Sequence, residues 1–239
     1  MGNLKSKRTR LRDQRVVKER NLIAHHSPKS PTAEQYRTIR TNIDFSQADQ
    51  TIRTMVVTSA GPGEGKSTTT NNLAVVMAQQ GKRVLLIDAD LRKPTTHYTF
   101  RLTNTEGLTT VLTRQSKWEE TIKKSEVENL FILPSGPIPP NPAELLSTAA
   151  MKTMLQQASE LFDLIIFDSP PILAVTDAQI LSSFCDGTVL VVSSGHTEIE
   201  AAQEAKELLA KSQAKLLGVV LNRKSRKGKN SYYYYYGTN

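Results

Sequence analysis

The chain has 239 residues, 38% of them hydrophobic, and a single cysteine, Cys185, so no disulfide can form within it. No stretch approaches the roughly 18–20 consecutive apolar residues that cross a bilayer, and the charged start is not the apolar leader of a secretory signal. The net charge of +8 sits at the ends: residues 1–30 hold nine Lys/Arg and two acids, residues 222–239 hold five and none, and the body between holds 17 basic and 21 acidic residues. A groove-reading protein needs a basic face on its folded part; this body has no surplus for one, so no nucleic-acid partner is expected.

Residues 1–29 read as a basic tail. The segment EQYRTIRTNI (34–43) then has helical spacing. Glu34, Arg37 and Arg40 fall at i, i+3 and i+6 on one face, and Tyr36, Ile39 and Ile43 form an apolar stripe on another. Six apolar runs follow: TMVVTSA (54–60), VLLIDAD (84–90), LFILPSG (130–136), LIIFDSPP (164–171), TVLVVSS (188–194) and LLGVVLN (216–222). They are continuous rather than alternating, which predicts strands buried on both faces. Helical patterns lie between most of them, including 66–80, closed by Gly81, and 198–212. Repeated strand–helix–strand units predict an α/β fold, a mostly parallel sheet with helices on both faces. PSGPIPPNP (134–142) reads as an extended loop before the helix that NPAELL opens. His25, His26, His97 and His196 show no metal-ligand spacing, and Trp118 reads as packing.

SAGPGEGKSTTTNNLA (59–74) carries the chemistry. AGPGEGKS fits a P-loop except that Ala60 replaces the first glycine. A strand before and a helix after are the context the motif needs. Gly61, Gly63 and Gly65, with Pro62 and Glu64 between them, let backbone N–H groups curl around phosphate oxygens. The helix start adds its positive end at Lys66, Ser67 and Thr68. Lys66 would reach the terminal phosphates and Ser67 would ligate Mg²⁺, so ATP and Mg²⁺ are the expected cofactors. Asp88 and Asp90 end one strand and Asp168 another, at the sheet edge where open α/β folds bind ligands. Three carboxylates at one phosphate site call for a cation between them, and Mg²⁺ suits an all-oxygen shell. A carboxylate not committed to the metal could accept a proton from an attacking hydroxyl.

The P-loop, LLIDADLRKP, FDSPP, SGPIPPNPAELL, the front motif EQYRTIRTNI and the terminal SYYYYYGTN together resemble the bacterial protein-tyrosine kinases of capsular and exopolysaccharide synthesis. The resemblance runs from about Ser30 to the C-terminus. It implies a P-loop kinase domain over 30–222, an oligomerisation helix over 34–45, and a basic tail over 223–239. Lys66 matches the phosphate-binding lysine and Ser67 the Mg²⁺ residue. Asp88 and Asp90 match the second Walker-type motif, and Asp168 matches Walker B. Asp88 and Asp168 are then the expected metal holders and Asp90 the proton acceptor. Asn222 either reads the adenine edge, as an amide there does in related folds, or serves the turn. Arg92 stabilises charge or holds an interface.

The family autophosphorylates its tyrosine cluster, here Tyr232, Tyr233, Tyr234, Tyr235 and Tyr236. A tail does not easily reach its own centre and dock well, so a neighbour's site is expected to accept it. Glu34, Arg37 and Arg40 match the family's subunit-contact motif, which implies a homo-oligomeric ring. Members without a membrane span work with a membrane-anchored activator that supplies a cytoplasmic segment. Resemblance therefore implies a cytoplasmic enzyme held at the inner face of the membrane by that partner, acting on protein substrates and reversed by a cognate tyrosine phosphatase. The alternative is a chromosome- or division-positioning ATPase of the same fold. Those carry a lysine near the start of the P-loop, where this chain has Gly61, and use basic or amphipathic surfaces that this body lacks.

Overall fold

The computed structural model describes residues 22–46 and 51–224. Residues 1–21 and 225–239, with the tyrosine cluster Tyr232–Tyr236, lie outside the described residues.

Short α1 (Ile23–His26) leads into α2 (Pro31–Phe45). Ser30 caps α2 by accepting from the Ala33 amide at 3.2 Å, and Pro31 occupies the first turn, where no amide is needed. Then come β1 (Thr54–Ser59), α3 (Lys66–Ala78) and β2 (Val84–Asp88). The turns α4 (Thr96–Thr99), α5 (Leu108–Leu112) and α6 (Trp118–Thr121) lead to β3 (Lys123–Lys124) and β4 (Leu130–Leu133). The chain continues through α7 (Pro142–Leu146), α8 (Ala149–Leu161), β5 (Leu164–Asp168), α9 (Asp177–Ser182), β6 (Gly187–Ser193), α10 (Ile199–Lys211) and β7 (Leu216–Asn222).

Among the described residues the strands form one sheet in the order β3-β4-β2-β5-β1-β6-β7. Every pairing is parallel except that of the two-residue β3 with β4. Side chains alternate across β1: Met55 and Val57 enter one core, Val56 the other. The first core holds Leu73 and Val76 of α3, with Tyr36 and Ile39 of α2 against it. The second holds Met151 and Met154 of α8, and Trp118. Gly81 turns the chain after α3 with φ 89°, its amide donating to Ala78 O at 2.9 Å.

One expectation is corrected. Among the described residues the last strand, read as buried on both faces, is an edge strand: β7 pairs there only with β6, and Val219 and Leu221 are 56% and 50% exposed. Its apolar run cannot show this, because a continuous run reads the same at an edge as at the centre of a sheet.

Candidate functional site

Strand register brings the carboxylates together. Asp88 and Asp168 are paired positions of β2 and β5, so both end at the same level of the sheet. Next to β5, β1 runs into the P-loop. Gly63 and Gly65 have φ of 78° and 94°, the left-handed region that side chains resist. Gly65 is also closed by space, since a Cβ there would lie 2.1 Å from Asn222 Nδ2. Gly61 has neither constraint: a Cβ would meet Glu64 Oε1 at an ordinary 3.4 Å. The curl therefore rests on Gly63 and Gly65, two of the three glycines the sequence pointed to. No side chain caps the start of α3, so its first amides remain for an anion.

Lys66 Nζ donates to Asp90 Oδ2 at 2.9 Å, to Asp168 Oδ1 at 3.3 Å and to Ser67 Oγ at 3.2 Å. Asp88 Oδ2 accepts from the amides of Thr95 and Thr96 at 3.0 and 2.9 Å. Asp90 Oδ1 accepts from the Lys93 amide at 3.0 Å. Asp88 Oδ1 and Asp168 Oδ2 are buried and have no hydrogen-bond partner among the described residues. Burial, and then the charge of Asp168, pushes the Asp88 carboxyl up to about 7. Burial also raises Asp168 against the opposing pull of Lys66. For Lys66 burial pulls down, but Asp168 and Asp90 outweigh it and raise the ammonium above its usual range. Two buried carboxylates with unpaired oxygens, a hydroxyl and a lysine fit a hard divalent cation beside a phosphate. Asp88, Asp168 and Ser67 are the residues that would hold it.

The other predicted residues divide. Pro62 and Gly63 are exposed on the loop, and Thr68 is half-buried in the first turn of α3. Glu64 is buried, and its Oε1 accepts from Thr197 Oγ1 at 2.8 Å. Asn222 Nδ2 donates to Glu64 O at 2.8 Å, and Asn222 Oδ1 accepts from the Arg223 amide at 2.8 Å. Asn222 thus braces the P-loop from the end of β7. An open cleft of about 390 Å³ lies beside the loop, lined by Gly61, Pro62, Glu64, His196 and Thr197 among others.

Glu34 and Arg37 pair with each other, and Arg37 also donates to Pro28 O at 2.7 Å. Arg40 turns inward and donates to Val76 O at 2.8 Å, near the end of α3. The three residues therefore do not form one free charged face. Sequence reasoning missed Asp177 and Thr197. Arg92 binds fully buried Asp177 in a two-point fork, both contacts at 3.0 Å, tying the loop after β2 to α9. These partners lie 85 and 133 residues from Arg92 and Glu64, beyond any local pattern.

Comparison with known proteins matches the AAA domain family to residues 52–216. The chain is 58% identical over 220 residues to tyrosine-protein kinase YwqD of Bacillus subtilis (strain 168), covering 92% of each chain. It is 41% identical over 216 residues to the putative tyrosine-protein kinase CapB of Staphylococcus aureus, covering 90% of this chain and 95% of that one. The chain belongs to the bacterial tyrosine-protein kinase family. The crystal structure of the chimerical protein CapA2B2 superposes with a TM-score of 0.84 at 45% identity, over 86% of this chain and 90% of that one. The fold of this bacterial tyrosine kinase is thus the P-loop nucleotide-binding fold expected from its sequence. Among the described residues no helix is long and apolar enough to cross a membrane.

Proposed function

We propose that this chain is an ATP-dependent protein-tyrosine kinase that phosphorylates Tyr232–Tyr236 of a neighbouring copy and serves capsular or exopolysaccharide synthesis. The observation that carries the reading is the pair of unpartnered buried oxygens, Asp88 Oδ1 and Asp168 Oδ2, beside Lys66 at the P-loop. Its relatives are named tyrosine-protein kinases, which supports tyrosine as the acceptor.

The residues take the following roles. Amides of the P-loop and the start of α3 hold the phosphates of ATP, and Lys66 leaves its carboxylate partners for the terminal ones. Asp88, Asp168 and Ser67 hold Mg²⁺, which offsets the negative charge gathered there. The tyrosine oxygen bonds to the γ-phosphorus as the bond to the β–γ bridging oxygen breaks and ADP leaves. Asp90 takes the phenolic proton. Its side chain is 7% exposed whereas that of Asp168 is fully enclosed, which suits the carboxylate that must meet an incoming group. Asn222 keeps the loop in register, and reading the adenine edge would require its amide to release Glu64 O or the Arg223 amide.

Glu34, with Arg37 and Arg40 behind it, is the contact that places one subunit's tail at the next subunit's site in a ring. A membrane-anchored activator with a cytoplasmic segment completes the enzyme and holds it at the inner face of the membrane. A cognate phosphatase resets the tail.

Mass spectrometry of the C-terminal peptide after treatment with Mg²⁺-ATP tests the proposal, with and without an activator segment. Phosphate on the tail of the wild type, and about a hundredfold less or lower with Lys66→Ala in the same time, is the expected result. An unmodified tail in every condition, with ATP still hydrolysed, would instead support a positioning ATPase.

A further inference from the structure

Away from the P-loop, a second group of ligating side chains converges. His25 and His26 of α1 meet Glu126, in the turn between β3 and β4. The ligand atoms of the three lie within 4.8 Å of one another. Glu126 Oε1 is 3.9 Å from His25 Nε2 and 3.7 Å from His26 Nε2. Two ligands about 2.0–2.1 Å from a tetrahedral Zn²⁺ are roughly 3.4 Å apart. Closing the two His–Glu gaps needs a shift of about half an ångström, and the ligand atoms of the two imidazoles already lie within 4.8 Å of each other, adjustments within reach of surface side chains.

We propose that His25, His26 and Glu126 bind a borderline divalent transition cation, Zn²⁺ in the first place, which ties α1 to the β3–β4 turn. Two imidazoles and one carboxylate are a ligand set for zinc rather than for magnesium or calcium, which take oxygen shells. The three protein ligands leave a fourth position for water.

Both halves of the site are held by backbone before any ion arrives. Leu22 and Ala24 are buried, and the amides of His25 and His26 both donate to Leu22 O, at 2.9 and 2.8 Å. The Ala24 amide donates to Asn72 Oδ1 at 2.9 Å, fixing α1 to α3. Across the gap, buried Val127 anchors the turn. Its amide donates to Ser125 Oγ at 3.0 Å, and the Leu130 amide donates to Val127 O at 3.2 Å. Such preorganisation lowers the ordering cost of binding. The side chains are 32%, 47% and 57% exposed, so an ion has an open path. The site joins the segment that leads into α2 to the edge of the sheet, and it does not depend on the kinase reading.

The test is calorimetric titration of the full chain with Zn²⁺, in excess Mg²⁺ to occupy the oxygen-lined P-loop site. One Zn²⁺ per chain is expected. Substituting both histidines (His25→Ala with His26→Ala) should weaken binding at least tenfold, and Glu126→Gln several-fold. Zn²⁺ should raise the thermal midpoint of the wild type but not of the double variant, whose metal-free midpoint should match the wild type. With Co²⁺ as the probe, the visible absorption of a low-symmetry site should appear in the wild type alone. Unchanged affinity in the double variant, or no Zn²⁺ binding to the wild type, would overturn the proposal.

Discussion

The P-loop edge of the sheet and the α1–α2 face both gather charge, and they hold it differently. At the P-loop edge the carboxylates of Asp88 and Asp168 are enclosed, and Lys66 reaches two acids at once. On the α1–α2 face Glu34 is 65% exposed and pairs with an arginine on its own helix. Burial makes the first set costly to hold and sensitive to what binds. Water makes the second cheap to hold and nearly free of consequence for the fold. A motif made of charged residues is therefore weighed by its surroundings rather than by its spelling.

Substitutions break or sharpen that contrast. The largest effect belongs to the P-loop edge. Lys66→Ala or Asp168→Asn should lower phosphate transfer by about 10²–10³-fold, the scale for losing one preorganised electrostatic contact. A tail-phosphorylation time course checks it, and near-wild-type rates would count against the site. Next, Gly65→Ala places a side chain at φ 94° and against Asn222. The fold should lose about 1–3 kcal/mol in urea unfolding from the backbone strain alone. Adding Asn222→Ala should recover the steric part and leave the strain, so the two changes should not add.

The Arg92–Asp177 fork should respond asymmetrically. Arg92→Ala strands a fully buried carboxylate and should cost about 2–3 kcal/mol, whereas Asp177→Ala leaves a 38%-exposed guanidinium that water can rescue and should cost less. Equal losses would show that the burial of Asp177 is not what matters. The smallest effect belongs to the other region. Glu34→Gln should change stability by only about 0.2–0.5 kcal/mol, although it should alter subunit association, as size-exclusion chromatography would show.

The P-loop carboxylates also predict a pH response. Asp88 is raised from an ordinary 3.8 to about 7 by burial and by Asp168. Between those values the folded chain holds more protons than the unfolded one, so the stability tied to Asp88 is present below about pH 4 and lost as pH rises to 7. Without Mg²⁺ and nucleotide, the urea midpoint should fall over that range more steeply in the wild type than in Asp88→Asn. Parallel curves would contradict the assignment.

Much of this was legible in the sequence. All six apolar runs became strands where the pattern placed them, and the five that lie inside the sheet did so because such parallel strands need both faces apolar. The P-loop was legible because its chemistry is local, with Gly65, Lys66 and Ser67 adjacent in the chain. Asp88 and Asp168 were legible because each ends such a run. What stayed hidden depends on distant pairs. β3 is two residues long and owes its existence to β4. Thr197 finds Glu64 across 133 positions, and Asn222 finds the same residue across 158. The inward turn of Arg40 to Val76 is set by how α2 lies on α3, which helical spacing does not encode. His25 and His26 lack ligand spacing because their third partner is a hundred residues away.

The central claim is that one subunit's P-loop centre modifies another subunit's tyrosines, and a mixing experiment tests it most directly. A wild-type chain cut after residue 224, with an intact centre and no tyrosine cluster, would be incubated with full-length Lys66→Ala, Mg²⁺-ATP and the activator segment. Phosphate should appear on Tyr232–Tyr236 of the Lys66→Ala chain, as read by its peptide masses. A bare tail there, alongside a phosphorylated tail in wild type alone, would contradict transfer between subunits.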